Sequence, residues 1–273
     1  AELQTARRLL NAQKAGHTGT LDPLASGLLA LTFGEATKFS ADLLHADKTY
    51  VAGIKLGQKT TTGDLEGEFI QTRPVNLSRQ EIESVLSHFR GEILQVPPMF
   101  SALKRGGKTL YDLAREGVSI EREPRPVRIE KLEILELAGE LLTVEVTCSK
   151  GTYIRVLAED IGEALGCGAH LASLRRIGVG DLSIDNSITL EALEAMTLLE
   201  RRKVLKPLDT LMQTFPAVHL SENDRVRFCH GQRLALGLRT CPRVRVYGPD
   251  NIMVGTARVN ERGVLEPEIL IAN

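Results

Sequence analysis

The sequence is poor in cysteine, in histidine motifs, in long apolar runs and in any excess of one charge. Its four cysteines, Cys148, Cys167, Cys229 and Cys241, stand too far apart for a paired zinc-finger motif, and nothing marks the chain for secretion. Reduced thiols are therefore expected. Its six histidines form no HxxxH or HExxH arrangement, so no metal is expected. No uninterrupted apolar run approaches the ~20 residues that cross a bilayer, and no signal-peptide pattern is present, so a cytoplasmic protein without membrane association is expected. A net charge of −1 gives no global argument for a nucleic-acid partner. Repeats and low-complexity tracts are also missing.

What remains is an ordinary globular composition, 42% hydrophobic and 25% charged, in 273 residues, enough for a sizeable core and more than one domain. Residues 1–16 read as a helix ending near Gly16. In KTYVAGIKLG (48–57), Tyr50, Ala52, Ile54 and Leu56 recur with the two-residue period of a strand, and a polar turn follows. Ser78 and Glu81 form a capping box ahead of Ile82, Val85, Leu86 and Phe89, which predicts an amphipathic helix over 79–90 closed by Gly91. A short helix over 109–116 and strands over 126–136 and 141–149 complete an α+β pattern. From 216 onward RVRVYG, NIMVGTARV and GVLEPEILIA read as short strands of a compact β module. That module holds eight Arg, no Lys and six acidic residues, so an arginine-bearing surface suited to phosphate and base stacking is expected.

Three stretches invite chemistry. In HTGTLDPLASGLL (17–29) the single acidic residue, Asp22, precedes Pro23 and spaced leucines, which fits a helix N-cap; a catalytic carboxylate is the competing reading. In CSKGTYIRVLAEDIGEALGCG (148–168) a strand turns at Lys150 and Gly151 into a helix. Thr152, Tyr153 and Arg155 then fall in its first turn, where free N–H groups and the helix dipole favour an anion; the alternative is a packed Tyr153 and an Arg155 paired with a surface carboxylate. The run KRGGK (104–108) reads either as a phosphate-facing loop or as a solvated surface.

Taken together, GHTGTLDPLASGLL (16–29), KTYVAGIKLGQ (48–58) and CSKGTYIRVLAEDIG (148–162) closely resemble the bacterial TruB-type tRNA pseudouridine-55 synthases. The motifs occur in the family's order across almost the whole catalytic part, and DPLASG resembles the bacterial branch. The resemblance implies a pseudouridine synthase fold: a mixed, largely antiparallel sheet with flanking helices around a central cleft, in a catalytic domain over 1–213. A small C-terminal β domain of PUA-like, RNA-binding type is implied over 214–273. Family members begin with a strand and a lysine-proline-glycine segment ahead of the helix that opens this chain. That segment is absent and Ala1 is no natural initiator, so a trimmed chain without the first strand is expected.

By the same resemblance Asp22 is the essential aspartate, which decides the competition over that residue for chemistry. Tyr50 matches the tyrosine that stacks on the target base and has been considered a proton acceptor at the sugar. Tyr153 and Arg155 match the active-site wall, with Arg155 expected to pair with Asp22. His17 matches the histidine that fills the space the flipped base leaves, and Asp64 an acidic position with a polar, substrate-side role. The partner implied is the T stem-loop of tRNA, with no obligatory protein partner and a monomeric enzyme.

These residue types suit the reaction. Uridine becomes its C-glycoside when the C1′–N1 bond breaks, the uracil turns and C5 joins C1′, so no outside atom and no cofactor is consumed. A carboxylate held ionised by a cation can attack the sugar, attack C6 of the base, or assist elimination through a glycal. A base buried in an RNA loop must first be flipped into a pocket with an aromatic face. Two other readings compete: a catalytically silent tRNA-binding or tRNA-folding protein, and a glycoside hydrolase pairing Asp22 with Asp64 or Asp160. Assistance to tRNA folding is also compatible with the synthase itself.

Overall fold

A computed structural model describes residues 2–271, without the side chains of Asp42, Leu43 and Leu211. The chain forms two compact units, one of Gly19–Leu29 with His45–Ser187, the other of Ala1–Thr18, Ala30–Leu44 and Ile188–Asn273.

The first unit is built on a seven-stranded sheet. Its strands are β1 (Ala25–Gly27), β2 (Lys48–Leu56), β3 (Gly91–Gln95), β4 (Arg125–Ala138), β5 (Leu141–Cys148), β6 (Ala169–Val179) and β7 (Leu182–Ser183). They lie in the order β7-β6-β2-β5-β4-β3, all antiparallel, with β1 added in parallel to β6. Residues directly opposite each other in a ladder face the same side. Ile54 lies opposite Leu142 and Leu171, and Ala52 opposite Val144 and Leu174, so one face carries a continuous apolar layer. Helix α1 (Arg79–Ser87) closes this layer with Ile82 and Leu86, and α2 (Ile154–Ala164) with Ile154, Leu157, Ala158 and Ile161. Each such large side chain contributes about 1.5–3 kcal/mol on full burial. Tyr50 continues the face two residues before Ala52, directly opposite Arg176 of β6.

Local rules explain most boundaries. The Ser78 hydroxyl accepts the Glu81 N–H at 3.2 Å and the Glu81 carboxylate accepts the Ser78 N–H at 2.7 Å, the expected capping box. The helix stops three residues short of the expected end, at Ser87. Gly91, at φ +90°, then opens β3. Thr109 and Asp112 make a second box for the helix Leu110–Arg115. KRGGK forms a tight hairpin, Lys104–Arg105 against Lys108–Thr109, turned by Gly106 and Gly107 in the left-handed region and exposed to solvent.

Other expectations fail for identifiable reasons. The opening helix ends at Leu9, and Ala15–His17 instead pairs with Leu31–Phe33 as a strand. No helix starts at Asp22, because the residues after it join the sheet as β1. Strand β6 has no clean two-residue period, since bulges after Leu171 and after Arg176 shift its alternation.

In the second unit, the β module runs Ala217–His219, Cys241–Tyr247, Met253–Val259, Val264–Leu270 and Leu234–Ala235 across a five-stranded sheet. Phe228, Val246, Ala257 and Leu265 are at its core. A helix, Glu222–Cys229, was not expected; of its residues only Phe228 is buried, so its charged sequence shows little periodicity. The arginine surface is largely self-neutralised. Arg225, Arg227, Arg243 and Arg245 pair with Glu222, Asp224, Glu268 and Asp209, and Arg233 and Arg258 share Glu266.

Candidate active site

Asp22 sits on the loop that leads into β1, where its backbone carbonyl accepts the Ala25 N–H at 2.8 Å. Both ends of the segment 19–28, which holds that loop and β1, are tied to one residue. The Arg176 guanidinium, 1% exposed, donates from Nε to the Leu28 carbonyl at 2.7 Å and from Nη2 to the Gly19 carbonyl at 3.2 Å. The Arg176 carbonyl in turn accepts the Leu28 N–H at 2.7 Å. This close approach requires Gly27, at φ +101°, because a Cβ there would stand 2.2 Å from the Arg176 carbonyl oxygen. Arg176 was not picked out from sequence. It stands beside Arg175 in a strand that also holds His170 and Ser173, and such a charged pair usually means a solvated face.

Arg155, in the first turn of α2, connects two carboxylates. Its Nη2 donates to Asp22 Oδ2 at 3.3 Å and to the Phe100 carbonyl at 2.9 Å, and Nη1 donates to the Thr62 carbonyl at 3.3 Å. Its Nε lies 3.2 Å from Asp64 Oδ2, an ion pair without hydrogen-bond geometry. The two carboxylates differ in setting. The Asp64 side chain is 5% exposed, and its Oδ1 accepts from the Thr62 hydroxyl at 2.6 Å and the Glu66 N–H at 3.0 Å. The Asp22 side chain is 48% exposed, and among the described residues its Oδ1 has no protein partner. A buried cation thus carries one internal counter-ion and holds a second carboxylate toward the open side. Helix α2 begins at Ile154 with Tyr153 as N-cap, and its arginine is spent on these carboxylates rather than on an external anion.

Both tyrosines belong to the same neighbourhood. Burial holds the Tyr50 hydroxyl above the ordinary phenol range, and the Asp22 charge pushes the same way while the neighbouring Arg176 opposes it. Burial also raises Tyr153, again with Asp22 adding to the effect. Both phenols stay protonated at neutral pH. The structure therefore brings together Asp22, Tyr50, Asp64, Tyr153 and Arg155 within one unit. His17 lies on the exposed end of the strand Ala15–His17, in the other unit. Asp160 lies on α2 with its carboxyl raised by burial, and Arg155 pairs with Asp22 and Asp64 rather than with it. Among the described residues, no cluster of three or more His, Cys, Asp or Glu side chains is placed to hold a metal ion, and no helix is long and apolar enough to cross a membrane.

Comparisons with known proteins cover nearly the whole chain. Residues 7–154 match the TruB family pseudouridylate synthase N-terminal domain, 155–213 the tRNA pseudouridylate synthase B C-terminal domain, and 216–271 the pseudouridine synthase II TruB C-terminal region. A tRNA pseudouridine synthase B of Burkholderia mallei (strain NCTC 10247) is 56% identical over 276 residues, covering 98% of this chain and 91% of that protein. One from Dechloromonas aromatica (strain RCB) is 52% identical over 269 residues, covering 98% and 90%. Among solved structures, a chain of a Cbf5-Nop10-Gar1 complex superposes with a TM-score of 0.74 at 26% identity, covering 98% of this chain and 79% of that one. A chain of an archaeal box H/ACA sRNP Nop10-Cbf5 complex gives 0.72 at 25%, covering 98% and 80%.

Proposed function

Because this chain belongs to the TruB family of pseudouridylate synthases, we propose that it isomerises uridine 55 in the T loop of tRNA to pseudouridine, with Asp22 acting on the glycosidic bond. The observation that carries the residue assignment is the half-exposed Asp22 carboxylate held by a buried, doubly paired Arg155. The guanidinium fixes one of the carboxylate oxygens, leaving the other for the reacting centre. Tyr50 supplies a face on which the flipped uracil stacks, and its protonated hydroxyl suits that role better than service as a phenolate base. Tyr153 forms the adjoining wall. Asp64 acts through Arg155, since its own oxygens face inward. His17 occupies the gap left in the RNA loop.

In the reaction the C1′–N1 bond breaks, the uracil rotates in the pocket, C5 bonds to C1′, the hydrogen on C5 departs to water as a proton, and the freed N1 takes up a proton from water, so that the product is an isomer of the substrate. The chain works without a cofactor, in the cytoplasm, as a monomer, with residues 214–273 as a PUA-like RNA-binding module. The test is tritium release from tRNA carrying 5-tritiated uridine, with the product mapped to its position. Release from position 55 that Asp22→Asn abolishes is expected. Tight tRNA binding with no release by the parent chain would favour a silent binding or folding protein, and liberation of free uracil would favour a hydrolase.

A further inference from the structure

The helix that carries Arg155 begins without a side-chain cap of its own: Tyr153, the N-cap residue, offers no side-chain oxygen to the first turn. The partner of its backbone comes from the far edge of the sheet. Gln95, the last residue of β3, is 2% exposed. Its Oε1 accepts the Tyr153 N–H at 2.9 Å and its Nε2 donates to the Tyr153 carbonyl at 3.2 Å. That carbonyl also accepts the Leu157 N–H at 3.0 Å, the first bond of the helix. A single side-chain amide thus reproduces the two-bond exchange of an antiparallel residue pair, fixing both polar groups of the residue that sits two positions before Arg155.

We propose that Gln95 is a positioning residue for catalysis, setting through the Tyr153 backbone where the Tyr153 ring and the Arg155 guanidinium stand. This rests on the assignment of Tyr153 and Arg155 to the active site. β3 pairs with β4 and ends the sheet. Gln95 therefore ties the start of α2 to a strand that makes no ladder contact with the strands beneath the site. The amide at this position presents an acceptor and a donor in the required order. An apolar side chain leaves a buried N–H and weakens the hold on the carbonyl, and an ionised carboxylate sets a lone pair against the carbonyl oxygen. A protonated carboxyl, by contrast, restores both bonds, with C=O accepting the N–H and O–H donating to the carbonyl. Burial raises the pKa of such a carboxyl.

The experiment measures single-turnover tritium release at saturating tRNA, tRNA dissociation constants and thermal midpoints for the full chain and for Gln95→Met, Gln95→Glu and Arg155→Ala. The expected result for Gln95→Met is a turnover rate lowered roughly 10–100-fold with affinity within about threefold, the mark of misplacement rather than lost binding. For Gln95→Glu, the rate relative to the parent should climb as the pH falls from about 8 to about 6, a change that a loss of packing alone would not produce. This second variant decides the matter if Gln95→Met fails to fold. Rates of both Gln95 variants within about twofold of the parent, with Arg155→Ala inactive, would overturn the positioning role. So would a loss in Gln95→Glu that is independent of pH. If Arg155→Ala retains full turnover, the site assignment beneath the proposal fails instead.

Discussion

Asp22 and Asp64 share one arginine, yet the same isosteric change should affect them in opposite ways. Asp22→Asn removes a charge from a side chain that is 48% exposed, 3.3 Å from Arg155. Half-solvated pairs of this kind contribute below about 1 kcal/mol to stability, and the loop is held by Arg176 and its own backbone bonds, which the change leaves alone. Asp64→Asn strikes a side chain 5% exposed, whose loss leaves the buried Arg155 without its internal counter-ion. Breaking a buried pair from one side costs about 3 kcal/mol or more, equivalent to roughly 6–12 °C in melting temperature for a unit of this size. Turnover should order the other way. Asp22→Asn removes the carboxylate proposed to act on the glycosidic bond and should lower single-turnover tritium release on the order of 10⁴-fold, with tRNA affinity unchanged within a few-fold. Asp64→Asn only loosens Arg155, and a loss of roughly 10–100-fold is expected. Urea unfolding curves, filter binding and tritium release on the two proteins test all of this together. If Asp22→Asn proves the less stable of the two, or keeps turnover within tenfold of the parent, the division into a reacting carboxylate and a supporting one is wrong.

Two further outcomes follow from the same geometry. Burial pushes the Cys148 thiol from 9.0 up to about 12, and raises the phenols of Tyr50 and Tyr153 above 10.0. The unfolded chain releases these protons first, so the stability that the thiol contributes is complete below about pH 9 and declines as the pH rises from there toward about 12, at up to roughly 1.4 kcal/mol per pH unit, and the contribution of the phenols begins to decline above about pH 10. Urea midpoints should therefore fall between about pH 9 and about pH 10.5, and Cys148→Ala should remove the earliest part of that decline. Gly27→Ala should be destabilising by on the order of 1–3 kcal/mol from backbone strain. It should also lower turnover while tRNA binding persists, because the Cβ collides with the Arg176 carbonyl that anchors the Asp22 loop; a variant with the parent's turnover and melting temperature would contradict that account.

The sequence by itself determined whatever depends on near neighbours along the chain. The alternation of Tyr50, Ala52, Ile54 and Leu56 defined β2 and its inward face, and the Ser78–Glu81 pair marked the start of α1, because pleat and cap geometry act over two to four residues. The three spaced motifs carried the family. Asp22 shows where local reasoning stops. The Asp-Pro pair is a good helix start by its own preferences, but pairing of Ala25–Gly27 with Leu174–Arg176 displaces the helix, since a sheet edge satisfies the backbone better than an isolated turn. Tertiary structure alone decided that Arg155 holds two carboxylates, one buried and one half-exposed, and that Arg176 is an internal clamp rather than a surface charge. It alone joined Gln95 to Tyr153, 58 residues away in the chain. A buried polar side chain is chosen for the unpaired donors and acceptors of distant backbone, and those meet it only when the chain has folded.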